Sequence, residues 1–183
     1  EETMGVPIKA SMETIIVCEI DPGFPVHADK YAAQADYIIP INRVKVHTAF
    51  DGEIESGVCK MLSIGIGKHN GCSRIHQVGF PNFPIYIPKV SDVILNTFCI
   101  PFGVALVENA HTIRLLPRET LVEEEKELLK LSKSLMPKLN FEAVDILIVE
   151  QIGKDISGDG MDPNITGRLA GQPTSPYYTG PKI

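Results

Sequence analysis

The chain has no surplus of positive charge: 17 Lys and Arg stand against 23 Asp and Glu, a formal charge of −6. That balance excludes binding to a nucleic-acid backbone by bulk electrostatics, while a local cationic cluster can still meet a small anion. Cysteine is scarce. Cys18, Cys59, Cys72 and Cys99 form neither a dense disulfide framework nor a CxxC ribbon, so free thiols in a reducing, cytoplasmic compartment are expected. No apolar run reaches transmembrane length, and no basic, apolar leader opens the chain, so no membrane partner is expected. The grammar of a nucleotide triphosphate loop is missing too, because Gly65-Ile66-Gly67-Lys68 lacks a following Ser or Thr. The calcium-loop pattern fails in the segment 150–168 for want of a closing Glu.

A length of 183 residues suits one domain with its own core. The ends, EETMG and YYTGPKI, resemble neither a natural start nor a finished helix, and excision from a longer polypeptide is expected.

Residues 14–20 (TIIVCEI) are short, apolar and β-branched before Asp21-Pro22-Gly23, which predicts a strand and turn. A helix is expected over 28–35 and a strand over 36–41, where Pro40 suggests an edge. Short helices are expected around Lys60 and over 72–78, and Val90, Val93, Ile94 and Thr97 have helical spacing. Strands follow at 99–108 and 113–116. Leu121, Leu128, Leu131 and Leu135 predict a helix over 118–136 that ends at Pro137. Glu123, Glu124 and Glu125 lie early in it and Lys130 and Lys133 late, the pattern of a solvated face aligned with the helix dipole. A buried strand is expected at 144–149 (VDILIV). Alternating strands and helices predict an α/β domain with a layered, mostly parallel sheet flanked by helices, with ligands outside the strand C-terminal ends.

Chemistry-bearing residues concentrate between 41 and 79, in INRVKVHTAFDGEIESGVCKMLSIGIGKHNGCSRIHQVG. His47 follows a strand where a general base would be usable, with Asp51, Glu53 and Glu55 near enough in sequence to orient it. The plain alternative is an ordinary loop histidine. Lys60 fits an amine nucleophile or anion anchor once desolvated, against the alternative of a snorkelling helix-edge lysine. Lys68 has the same ambiguity. His69 and His76, with Cys59 and Cys72, allow a zinc site in principle, although the spacing follows no strong zinc pattern. Gly65, Gly67 and Gly71 surround Lys68, His69 and Asn70, so backbone there can approach a ligand closely. The segment EQIGKDISGDGMDPNITGR carries Lys154, Asp155, Asp159, Asp162, Asn164 and Arg168 and reads either as a loop closed by Asx turns or as a substrate contact.

With NRVKVHTAFDGEIESGVCKMLSIGIGKHNG and VEQIGKDISGDGMDPNITGR, the chain resembles the nickel-dependent lactate racemase family and its hydroxy-acid racemase and epimerase homologues over nearly its whole length. The resemblance implies a nickel pincer nucleotide, built on a pyridinium ring, joined covalently to Lys60. It implies His76 as the nickel ligand and His47 as one of two proton-transfer histidines. The Lys60 to His76 separation keeps the family's spacing, whereas His47 to Lys60 is a few residues longer. It implies that His47 takes a proton from a small 2-hydroxy acid while hydride leaves C2, and that hydride return to the opposite face inverts the centre. Lys68 and His69 fall beside the implied cofactor, and Arg74, with Lys68, is a candidate for the substrate carboxylate. The second proton-transfer histidine, much of the phosphate-binding apparatus and a further domain are expected from the rest of the polypeptide, so the fragment alone is expected to be inactive. His27 is not assigned that second role. The alternative is a non-enzymatic α/β module that binds an anionic nucleotide or metabolite through the 67–71 loop.

Overall fold

In the computed structural model, β1 (Thr14–Asp21) and β2 (Phe24–Asp29) form an antiparallel hairpin in which Asp21 pairs with Phe24 across Pro22 and Gly23. Gly23 has φ 71°, a left-handed conformation that glycine adopts without a Cβ penalty. The structure describes residue 3, residues 5–108 and 111–139, and residues 146, 148–151, 153 and 162–166. The helix expected over 28–35 is corrected. Phe24, Val26 and Ala28 are buried in a strand alternation that continues to Asp29, and only a 3₁₀ turn at Ala32–Gln34 follows. The Asp29 carboxylate accepts the Tyr31 and Ala32 N–H groups, both at 2.8 Å, which closes a turn where a helix was expected.

A second sheet has the order β3 (Ile41–Arg43), β4 (Phe102–Val107), β5 (Thr112–Pro117), with β3 parallel and β5 antiparallel to β4. Regular pairing begins only after Pro40, which has no N–H to donate, although its carbonyl accepts the Val104 N–H at 2.8 Å. The chain is therefore α/β with small sheets of mixed topology. The buried strand expected at 144–149 is not found: residues 144, 145 and 147 lie outside the described residues, and Ile146, Ile148 and Val149 are exposed and outside any strand.

The helical part begins with α1 (Val58–Lys60), which runs straight into a π turn at Met61–Gly65. Next come α2 (Lys68–Gln77), a 3₁₀ turn at Phe80–Asn82 and α3 (Phe83–Thr97). After β5 come α4 (Leu121–Ser134) and the short α5 (Pro163–Thr166). α2 starts four residues before the expected 72, and α4 is a little shorter than expected at both ends.

Val58, Leu62, Ile75, Phe83, Ile87, Ile94, Leu116, Leu121 and Leu128 join one core with Ala105 and Val107 on the inner face of β4. Each such aliphatic or aromatic burial contributes about 2 kcal/mol, more than a surface ion pair at roughly 0–1 kcal/mol, so core packing sets where α1 lies. Gly103 makes that packing close, since a Cβ there would stand 2.9 Å from Val58 Cγ1. No helix among the described residues is long and apolar enough to cross a membrane.

Candidate functional site

Val58, Cys59 and Leu62 face the core, which turns the neighbouring Lys60 toward the loop after β3. Its Nζ lies 5.9 Å from the centre of the Phe50 ring. Burial and the charge of Lys45 bring its pKa down from 10.5 to about 8, against the opposing pull of Cys72 and Glu55. A useful fraction of this amine is neutral near pH 8, as nucleophilic attack requires.

His47 stands in that loop, its ring 4.4 Å from Phe50. Its backbone N–H donates to Glu55 Oε2 at 2.8 Å, and the Ala49 N–H donates to ring Nδ1 at 3.0 Å. An N–H aimed at Nδ1 fixes the neutral ring as the Nε2–H tautomer and opposes a second proton. Burial, then the charges of Lys60, Lys45 and His76, lower its pKa from 6.5 to about 4.

His76 closes α2. Its Nδ1 lies 2.8 Å from the Cys72 carbonyl oxygen, with Cys72 Sγ at 3.5 Å. Only a protonated Nδ1 makes the carbonyl contact, so the Nε2 lone pair is left for a ligand. The His76 ring meets Phe83 edge-on at 5.1 Å and Phe80 at 6.0 Å. Phe80 also lies 6.4 Å from His47, and Phe83 lies 5.2 Å from Phe50. Lys60, His47 and His76 thus share one wall of phenylalanine rings.

The other predicted residues stand apart. Lys68, at φ 53°, pairs with Asp29 at 3.1 Å. His69 is exposed. Arg74 donates to the Gly23 carbonyl and to Gln77 Oε1, the latter at 2.8 Å, and lies over the Phe24 ring, so it braces the β1–β2 turn. His27 Nδ1 contacts Thr14 Oγ1 at 3.0 Å on the same hairpin. Gly67 serves packing, since a Cβ there would lie 3.0 Å from Gly71 Cα and 3.2 Å from the Ser63 carbonyl oxygen, and residues 68–71, expected as a loop, form the first turn of α2. Among the described residues no group of three or more His, Cys, Asp or Glu is arranged to hold a metal, which leaves the zinc reading without support. Cys59 is buried, and burial together with Glu125 pushes its thiol pKa up.

Two contributors, Lys45 and Glu125, are not among the candidates the sequence offers, and a third, Glu55, is one of the three carboxylates expected to orient His47. Lys45 is exposed, yet its charge acts on both Lys60 and His47. Glu55, one of three carboxylates near His47 in sequence, is fully buried and holds that residue by its backbone; Asp51 and Glu53 pair with Lys133 and Lys126 instead. Glu125, expected on a solvated face, is 1 % exposed and accepts the Val58 and Cys59 N–H groups. From the C-terminal segment, Asn164 Nδ2 donates to the His47 carbonyl at 2.9 Å; Lys154, Asp155, Asp159 and Arg168 lie outside the described residues.

Compared with models of protein families, with curated proteins and with solved structures, the chain matches none.

Proposed function

We propose that this chain is the cofactor-binding core of a racemase or epimerase of small 2-hydroxy acids that depends on a nickel pincer nucleotide, as its resemblance to the nickel-dependent lactate racemase family suggests. The observation that carries the reading is the meeting of a depressed-pKa lysine, a histidine with a free Nε2 and a neutral histidine on one aromatic wall. A pincer brings most of its own metal donors, so it asks the protein for an amine and one imidazole nitrogen. Lys60 and His76 Nε2 are chemically suited to those two parts, and the absence of a larger donor cluster among the described residues is compatible with them. When bound, the group supplies the hydride acceptor and the metal electronics that side chains lack.

His47 Nε2–H suits a hydrogen bond to the oxygen on C2. To take a proton there, the ring must first exchange tautomer by releasing the Ala49 N–H from Nδ1. Phe50, Phe80 and Phe83 surround the three groups with apolar rings, and neighbours of low polarity strengthen electrostatic interactions among them. Lys45, exposed at the rim with its charge felt by both Lys60 and His47, is the cation we assign to the substrate carboxylate, because Arg74 and Lys68 are already engaged.

The reading places the full-length protein in the cytoplasm, with the second proton-transfer histidine and the phosphate contacts outside this segment. It also extends the three-stranded sheet, beyond β3, into a mostly parallel layer. The alternative of a metabolite-binding module rests on a loop at 67–71, where Gly67 instead serves close packing and residues 68–71 open α2.

The test is a racemisation screen of single-enantiomer 2-hydroxy acids in D₂O by chiral chromatography and mass spectrometry, on full-length protein from cells that make the cofactor. Inversion with the C2 hydrogen retained, lost in His47→Ala, supports the reading; exchange of that hydrogen for deuterium contradicts it.

A further inference from the structure

We propose that α4 orders the two halves of this site: Glu125 fixes the helix that carries Lys60, and Lys133, acting through Glu55, fixes the loop that carries His47. The inference rests on the functional reading above only in taking Lys60 and His47 as the working pair. Glu125 and Lys133 are positioning residues, since neither reaches substrate or cofactor.

α1 has three residues before the π turn, and Gly57 at its head offers no capping side chain. The Val58 and Cys59 N–H groups would therefore be orphaned inside the core. The Glu125 carboxylate meets them at 2.6 Å and 3.2 Å. Gly57, at φ 100°, makes the room, because a Cβ there would stand 2.7 Å from the Glu125 carboxyl carbon. From the opposite side, Asn42 Nδ2 on β3 donates to the Gly57 carbonyl at 2.8 Å. The start of the Lys60 helix is thus clamped between α4 and β3.

Eight residues further along α4, about 12 Å at 1.5 Å per residue, Lys133 Nζ meets Glu55 at 2.6 Å and Asp51 at 2.7 Å. Glu55 accepts the His47 N–H at 2.8 Å and the Gly52 N–H at 3.2 Å. A buried carboxylate with a cation on one side and two loop amides on the other is a connector between α4 and the loop. Leu128 and Leu129, buried between the two positions, hold α4 to the core, so both contacts start from one rigid element.

The test is amide hydrogen exchange on the full chain, with methylation of Lys60 by formaldehyde and cyanoborohydride, the hydride donor, compared with exposed Lys138. In the wild type, Val58, Cys59, His47 and Gly52 amides should exchange at least about 100-fold more slowly than unprotected amides. Glu125→Ala should release Val58 and Cys59 about tenfold and lower the Lys60 to Lys138 labelling ratio severalfold, while His47 and Gly52 stay protected. Glu125→Gln, which keeps one acceptor, should restore much of both. Lys133→Met should release His47 and Gly52 and leave Val58 and Cys59 protected. Equal loosening at all four amides, or none, in a folded variant would overturn the proposal. Fast exchange of these amides in the wild type would overturn it even if a variant fails to fold. These readouts need no cofactor, so a missing nickel adduct would defeat the functional reading and leave this inference standing.

Discussion

A lysine held near pH 8 weakens the fold that carries it. Because the Lys60 pKa falls from 10.5 to about 8 on folding, the unfolded chain binds the proton more tightly between those values, and stability rises with pH across that window. Below pH 8 the penalty is complete. Lys60→Met is therefore expected to stabilise the protein at pH 7 by about 1 kcal/mol, with the gain shrinking above pH 8, as measured by urea denaturation. A loss of stability at pH 7 would contradict the burial of the amine. His47 and Glu125 act in opposite senses. His47 falls from 6.5 to about 4, so its contribution is full above pH 6.5 and lost as pH falls toward 4. Glu125 rises from 4.5 to about 7, chiefly by burial, so its contribution is full below pH 4.5 and lost as pH rises toward 7, about 3 kcal/mol at most. Between pH 4.5 and 6.5 the two offset each other. His47→Asn should unmask a stability that falls with rising pH, and Glu125→Gln one that rises; parallel curves for both variants and wild type would refute the two shifts.

Residue chemistry marks Lys60 and His47 as candidates in the sequence, and the family resemblance joins His76 to them; the structure brings the three to one set of phenylalanine rings. Arg74 drew attention through proximity to His76, but two residues along a helix point to nearly opposite faces, and it faces the hairpin. Glu125 was concealed in an acidic triplet. The signal was present all the same, since Leu121, Glu125 and Leu128 follow i, i+4, i+7 spacing and put one carboxylate into an apolar stripe.

Among the elements, α1 and its π turn set the site. In that turn the Ile66 N–H donates to the Met61 carbonyl at 2.8 Å, an i to i−5 bond of the kind that often marks functional helices. Two glycines flank this stretch with different roles. Gly57→Ala forces a side chain at φ 100° into a buried carboxylate and should cost about 3 kcal/mol. Gly65→Ala meets Met61 Sδ, near the end of a flexible side chain, and should cost only about 1 kcal/mol. Urea midpoints separate the two, and equal costs would show that Glu125 does not need the space above Gly57. β1, β4, β5, α3 and α4 were readable from composition and periodicity. β2 was not: the expected helix over 28–35 overlaps its end, while pairing across the Pro22-Gly23 turn imposes a period of two through residue 29.

At the scale of the molecule, connection length decides sheet topology. Two residues join β1 to β2 and a short turn joins β4 to β5, so both pairs are antiparallel; only β3 reaches β4 through helices, and that pair is parallel. The expectation of a mostly parallel sheet follows from the alternation of strands and helices; among the described strands the short links give antiparallel pairs and the β3–β4 pair alone is parallel. The long crossover from β3 to β4 carries all three residues of the candidate site, His47, Lys60 and His76. The first measurement to make is the intact mass and nickel content of full-length protein purified from cells shown to make the pincer cofactor, beside Lys60→Ala. An added mass accompanied by nickel, both absent from the variant, is the expected result; an unmodified Lys60 and no nickel in the wild-type protein would contradict the cofactor assignment.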